Sequence, residues 1–143
     1  MIDRNSNSKL QRKLRIARLS NTKCRLAILK VLTETRSPLT QDQIAKKLGK
    51  QRSDKATIYR TLEKFISNGL VHRAFTDSRS QYFELADNCT ESQCHPHFTC
   101  TICGNTLCLT DLNVPLLKMR NDAFHVTNQQ IRLEGLCPQC AGK

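Results

Sequence analysis

Apolar residues in the first half of the chain fall on one side of a helix three times over. In residues 22–34, Cys24, Ala27, Ile28, Val31 and Leu32 recur at i, i+3, i+4, i+7 and i+8, with Lys23, Arg25 and Lys30 off that face. This spacing predicts an amphipathic helix, ended by Ser37-Pro38. A second, shorter helix follows in LTQDQIAKKLG. Thr40 and Gln43 have capping-box spacing, Leu39 and Ile44 form the accompanying hydrophobic staple, and Gly49 closes it. A third helix starts at Ser53 or Asp54 and runs to Gly69, with Ile58, Leu62, Phe65 and Ile66 on its apolar face and Lys55, Thr57, Tyr59, Arg60 and Lys64 elsewhere. Beyond Gly69 the period shortens. LVHRAF and QYFEL read as two strands around the turn TDSRS. Helix, short helix, helix and hairpin is the order of a winged helix-turn-helix, whose recognition helix enters the major groove.

The second half has a weaker pattern. TLCLT reads as a strand, VPLLKMRNDAF as a helix with Pro115 near its start, and VTNQQIRLEG as a returning strand. The expected fold is therefore α+β: an N-terminal winged helix-turn-helix domain and a small α/β domain. The expected boundaries are a basic N-terminal extension over 1–21, a DNA-binding domain over 22–85, a hinge over 86–94 and a metal-binding dimerisation domain over 95–143.

Charge sharpens this division. Of 23 Lys/Arg and 12 Asp/Glu, residues 1–85 hold 19 and 7, a net +12, whereas residues 86–143 hold 4 and 5, a net −1. A cationic half suits a polyanion, and here that means double-stranded DNA. The total hydrophobic content of 38% with no Trp leaves each half a thin core, so dimerisation or a structural metal is expected to hold it. No apolar run is long enough to span a bilayer, and MIDRNSNSKLQRKLRIARLS lacks the apolar core of a secretory signal, so the expected setting is the cytoplasm, with no membrane partner.

Seven of the eight cysteines fall in the second half. Cys100-x2-Cys103 and Cys137-x2-Cys140 are two knuckles of the type that give a tetrahedral Zn²⁺ four thiolates. A reducing compartment argues against pairing them as disulfides. Just before the first knuckle, DNCTESQCHPHFTC gathers Cys89, Cys94, His95 and His97. Alternation in an extended segment puts both imidazoles on one side, and imidazole with thiolate suits Zn²⁺, although imidazole also suits iron.

The run Ala56-Thr57-Ile58-Tyr59-Arg60-Thr61-Leu62, followed by Gly69-Leu70-Val71, closely resembles the recognition helix and wing of the ferric uptake regulator (Fur) family. The later order of strand, helix, strand and a second knuckle in GLCPQC resembles that family's dimerisation domain. The resemblance covers residues from about 22 to 140. It implies a metal-dependent repressor that binds an A·T-rich inverted repeat as a homodimer. Lys55, Thr57, Tyr59 and Arg60 would face DNA, with Tyr59 on thymine methyls and Arg60 on backbone or base edges. It also implies one structural zinc per chain at Cys100, Cys103, Cys137 and Cys140. A second, regulatory metal would sit at His95 and His97 with Cys89, which falls where zinc-sensing members have a cysteine, and a hinge acid. Asp77 is the nearest such acid, with Glu84 or His72 as rivals.

Departures from the family pattern favour the zinc-sensing (Zur-like) branch. Ser37-Pro38-Leu39 holds no histidine where iron and peroxide sensors usually have one, and Gln129 stands where a further site has another. Cys108 occupies a position where other members have a carboxylate. Cys24 is read as a core residue, and Cys94, Cys108, His72 and His125 are left unassigned, with an ordinary structural role favoured over metal binding for each. The alternatives are an iron-sensing regulator, a zinc-ribbon nucleic-acid-binding protein and a thiol oxidoreductase. No catalytic constellation or site for a small organic substrate is visible, so the chain is not expected to be an enzyme.

Overall fold

The computed structural model describes residues 4–35, 37–51, 53–77, 79–87 and 95–142. It divides into two compact units, Met1–Asp87 and Asn88–Lys143. No helix among the described residues is long and apolar enough to cross a membrane.

The first unit contains α1 (Arg4–Ile16), α2 (Lys23–Thr35), β1 (Leu39–Thr40), α3 (Gln41–Leu48), a 3-10 turn (Gly49–Gln51), α4 (Lys55–Ser67), β2 (Val71–Asp77) and β3 (Ser80–Leu85). The helix starts follow from local chemistry. Thr40 accepts from the Gln43 amide at 3.2 Å while the Gln43 side chain accepts from the Thr40 amide at 2.9 Å, a complete capping box on α3. Asp54 caps α4 by accepting from the Thr57 amide at 2.7 Å. At the other end of α4, Gly69 takes a φ of 69°, a left-handed conformation with little cost only for glycine, and the chain turns directly into β2. Strands β2 and β3 pair antiparallel, and β1 adds to β3, giving the order β1-β3-β2. Ile28, Leu29, Leu32, Ile44, Ile58, Leu62 and Phe65 fill the core with Val71 and Phe83.

The N-terminal segment departs from its reading as an extension. Residues 4–16 form a helix, and Leu10 and Leu14, one turn apart, are buried in the same core at 7% and 0% exposure. Arg18, at a φ of 57°, ends it. The Lys13 ammonium bonds both oxygens of Asp87, at 2.7 and 2.6 Å. The unit is thus a four-helix winged domain rather than a three-helix domain with a tail.

The second unit is a three-stranded sheet in the order β5-β4-β6, from β4 (His97–Cys100), β5 (Thr106–Cys108) and β6 (Arg132–Gly135), ending in the short α5 (Pro138–Ala141). β4 runs antiparallel to β5 and parallel to β6. The helix expected over VPLLKMRNDAF is absent, because residues 112–119 have no regular structure. Leu112, Leu116, Leu117, Met119, Phe124 and Val126 are 44–70% exposed. A short helix forms in water only by burying an apolar face, and in one chain this segment has nothing to bury against. It is held by Gln129, which accepts from the Leu117 amide at 2.7 Å and donates to the Pro115 carbonyl at 3.2 Å.

Candidate metal centres and nucleic-acid face

The four knuckle cysteines lie on segments that the sheet brings together. Cys100 ends β4 and Cys103 follows in the turn to β5. Cys137 and Cys140 follow β6, which pairs with β4 through Cys100 opposite Gly135. Their sulfur atoms all lie within 4.8 Å of one another, and Cys103 and Cys137 are 3.8 Å apart. Zinc–thiolate bonds of about 2.3 Å at tetrahedral angles place sulfurs about 3.8 Å apart, so the cluster fits that ion. The backbone prepares one anion. Amides of Cys103 and Cys137 pull the Cys100 thiol down to about 6, with the Cys137 amide 3.4 Å from its sulfur. Cys140 is pushed up to about 12 because it donates towards Cys137 and is desolvated. Four thiolates packed this closely repel one another, so a cation must displace the remaining protons.

A second group of donors occupies the other end of β4. His97 pairs with Cys108 across the β4–β5 ladder, and opposed residues share a sheet face. The rings of His95 and His97 have centroids 4.6 Å apart. One donor atom from each of His95, His97 and Cys108 lies within 4.8 Å of the others. His97 is 3% exposed and Cys108 is partly buried. Two imidazoles and a thiol form a borderline-soft set that suits Zn²⁺ better than a hard cation.

Cys108, left unassigned with a structural role favoured, thus stands as a candidate donor beside the paired histidines. Motif spacing misses it because its partner is fixed by strand register. Counting symmetrically outward from the turn, where the Cys100 amide bonds the Asn105 carbonyl at 2.9 Å, leads to His97 opposite Cys108. Cys89 and Cys94 lie outside the described residues. Asp77 ends β2, at the root of the turn into β3. Glu84, on β3, is 6% exposed and pairs with His72 Nε2 at 2.8 Å, opposite it on β2. His72 is thus a carboxylate partner, and Cys24 contacts Thr61 at 3.8 Å inside the first unit.

The residues expected to face DNA lie on α4. Tyr59 is 48% exposed. Arg60 donates to Thr57 Oγ1 at 3.2 Å, and Thr57 Oγ1 donates to Asp54 at 3.1 Å, so these side chains are arranged along the first turns of the helix. Lys55 pairs with Asp42 of α3 at 2.8 Å.

A sequence model described as the ferric uptake regulator family matches residues 17–134. The ferric uptake regulation protein of Legionella pneumophila is 29% identical over 136 residues, covering 89% of this chain and 95% of that protein. Its counterpart in Escherichia coli K12 is 31% identical over 135 residues, covering 88% and 86%. Among solved structures, the Vibrio cholerae ferric uptake regulator matches with a TM-score of 0.62 at 25% identity, over 89% of this chain and 98% of that one. A zinc uptake regulator solved with zinc and DNA matches with a TM-score of 0.65 over 99% and 97%. At 18% identity this is a likeness of fold.

Proposed function

This chain belongs to the ferric uptake regulator family, whose members are metal-dependent transcription regulators and not enzymes, and from that membership we propose that it is a zinc-responsive repressor. On this reading it binds an A·T-rich inverted repeat as a homodimer, with one α4 per half-site. One zinc at Cys100, Cys103, Cys137 and Cys140 is structural. A second, at the His95–His97 pair, is the signal.

The observation that carries this reading is the thiol of Cys108 beside His95 and His97. A thiolate biases the donor set towards Zn²⁺ and away from Fe²⁺. The remaining donors come from Cys89 and a carboxylate of the first unit, Asp77 or Glu84. Glu84 is the stronger of the two, as a buried carboxylate held by His72. Donors drawn from both units would let the metal restrict how the two recognition helices are spaced. Zinc favours the DNA-competent arrangement only by its difference in affinity for the two states, and a swing from mostly inactive to mostly active needs about 10⁴-fold, or ~5.5 kcal/mol.

The second reading is an iron sensor, supported by the names of the curated relatives at 29 and 31% identity. One experiment separates the two. Operator binding is followed while Zn²⁺ or Fe²⁺ is added to the parent and to a His95→Ala/His97→Ala variant. The variant should remain a dimer with its structural zinc yet gain no DNA affinity from added zinc. Zinc stimulation that survives in the variant refutes this site, and a parent that responds only to Fe²⁺ establishes the iron reading.

A further inference from the structure

A cleft of about 420 Å³ lies between the start of α3, the start of α4 and the tip of the wing. Lys55, Tyr59 and Arg79 line it together with Gln41 and Asp42. Gln41 Nε2 donates to the Lys55 carbonyl at 2.6 Å, tying the first residue of α3 to the first residue of α4. Asp42 lies 2.8 Å from the Lys55 ammonium, and both side chains are mostly exposed, at 76% and 65%. Arg79 lies in the exposed turn between β2 and β3 and makes no ion pair among the described residues.

We propose that this cleft seats one phosphodiester of the DNA backbone between Lys55 and Arg79, and that the Asp42 carboxylate is the built-in anion it displaces. The inference rests on the DNA-binding reading above and adds residues from α3 and the wing to the face offered by α4. A carboxylate oxygen 2.8 Å from an ammonium has the same charge-assisted geometry as a phosphate oxygen. An exposed pair of this kind is weakly held, so exchange is easy. Arg79 then has a partner that Asp42 does not supply, because a phosphodiester presents a second anionic oxygen. Tyr59 lines the same cleft, so the seated phosphate sets how deeply the base-facing side of α4 lies in the groove. Phosphate contacts fix register without reading sequence. With Asp42 in place, the cleft is one charge less attractive to any polyanion than Lys55 and Arg79 alone would make it. Asp42 thereby restrains binding to DNA of every sequence.

The test measures binding of the full-length, metal-loaded protein to an A·T-rich inverted repeat and to a scrambled duplex over a range of salt. Arg79→Ala should weaken binding to both duplexes by the same factor. Its slope of log K against log salt should be shallower by about 0.9 per head, or about 1.8 for the dimer, so its deficit should shrink roughly twelvefold between about 50 and 200 mM salt. Arg79→Lys should restore most of the loss. Asp42→Asn should bind both duplexes several-fold more tightly and with a steeper slope. The proposal is overturned if Arg79→Ala binds both duplexes as the parent does while Tyr59→Ala and Arg60→Ala lose binding. It is also overturned if the Arg79→Ala loss is confined to one sequence and Lys does not rescue it, which would mark a groove-edge contact, or if Asp42→Asn weakens binding. Should Tyr59→Ala and Arg60→Ala also bind like the parent, the recognition helix itself is misassigned, and that result is distinct from failure of the phosphate seat.

Discussion

Leu14→Ala tests whether α1 is part of the DNA-binding core or an appendage to it. Leu14 is fully buried, whereas Ile16, two residues later on the same helix, is 71% exposed. Truncating Leu14 removes about three carbon groups at ~0.8 kcal/mol each and leaves a cavity in a packed interior, for a total of about 3–5 kcal/mol. Ile16→Ala should stay within about 0.5 kcal/mol of the parent. At 4–8 °C per kcal/mol for a unit of this size, ~3 kcal/mol lowers Tm by roughly 12–24 °C. The chain provides its own probe, because it has no Trp and both of its tyrosines, Tyr59 and Tyr82, lie in the first unit. Tyrosine fluorescence during heating or urea unfolding therefore reports on that unit without interference from the second unit. Equal effects from the two substitutions, or a Leu14→Ala cost below about 1 kcal/mol, would refute the packing of α1 described here.

Two further outcomes follow. Cys137→Ser should leave a protein that loses its structural zinc and dimerises poorly, measured by metal content and sedimentation, and a well-folded zinc-free dimer would sink that assignment. The Asp54 carboxyl is held below its ordinary value of 3.8, first by the Thr57 amide and then by the Thr57 hydroxyl. A depressed folded pKa stabilises above the unfolded value and is lost as pH falls through the folded one. The stability advantage of the parent over Asp54→Asn should therefore be constant near neutrality and vanish only in acid below about 3.8; a difference unchanged down to pH ~2 would contradict it.

The first unit was legible because its signals are local. Periodicity, the Thr40–Gln43 box and Gly69 each act within a few residues, and the structure repeats them. α1 was less legible because polar and basic residues surround Leu10 and Leu14, and only packing against α2 shows that these two positions matter. In the second unit the order failed at VPLLKMRNDAF, where apolar periodicity supplies the face of a helix but not the surface that would cover it. The knuckles were legible because thiolate spacing is itself the chemistry. Cys108 was not, because its neighbour is chosen by strand register across a turn, and a register one residue out would move it to the opposite face.

β4 carries His97 at its first position and Cys100 at its last. At about 3.3 Å per residue the two donors are only ~10 Å apart along one strand, so two metals held there would not be independent tenants. An ion at the four sulfurs would tie the β4–β5 turn, through Cys137, to the end of β6, next to the register that puts Cys108 opposite His97. By linkage, if an ion at one centre tightens binding at the other, the reverse holds by the same factor. A chelator that strips only the histidine-bearing end should leave a protein that responds again as soon as metal returns. One that also takes an ion from the four sulfurs should loosen that register and slow recovery.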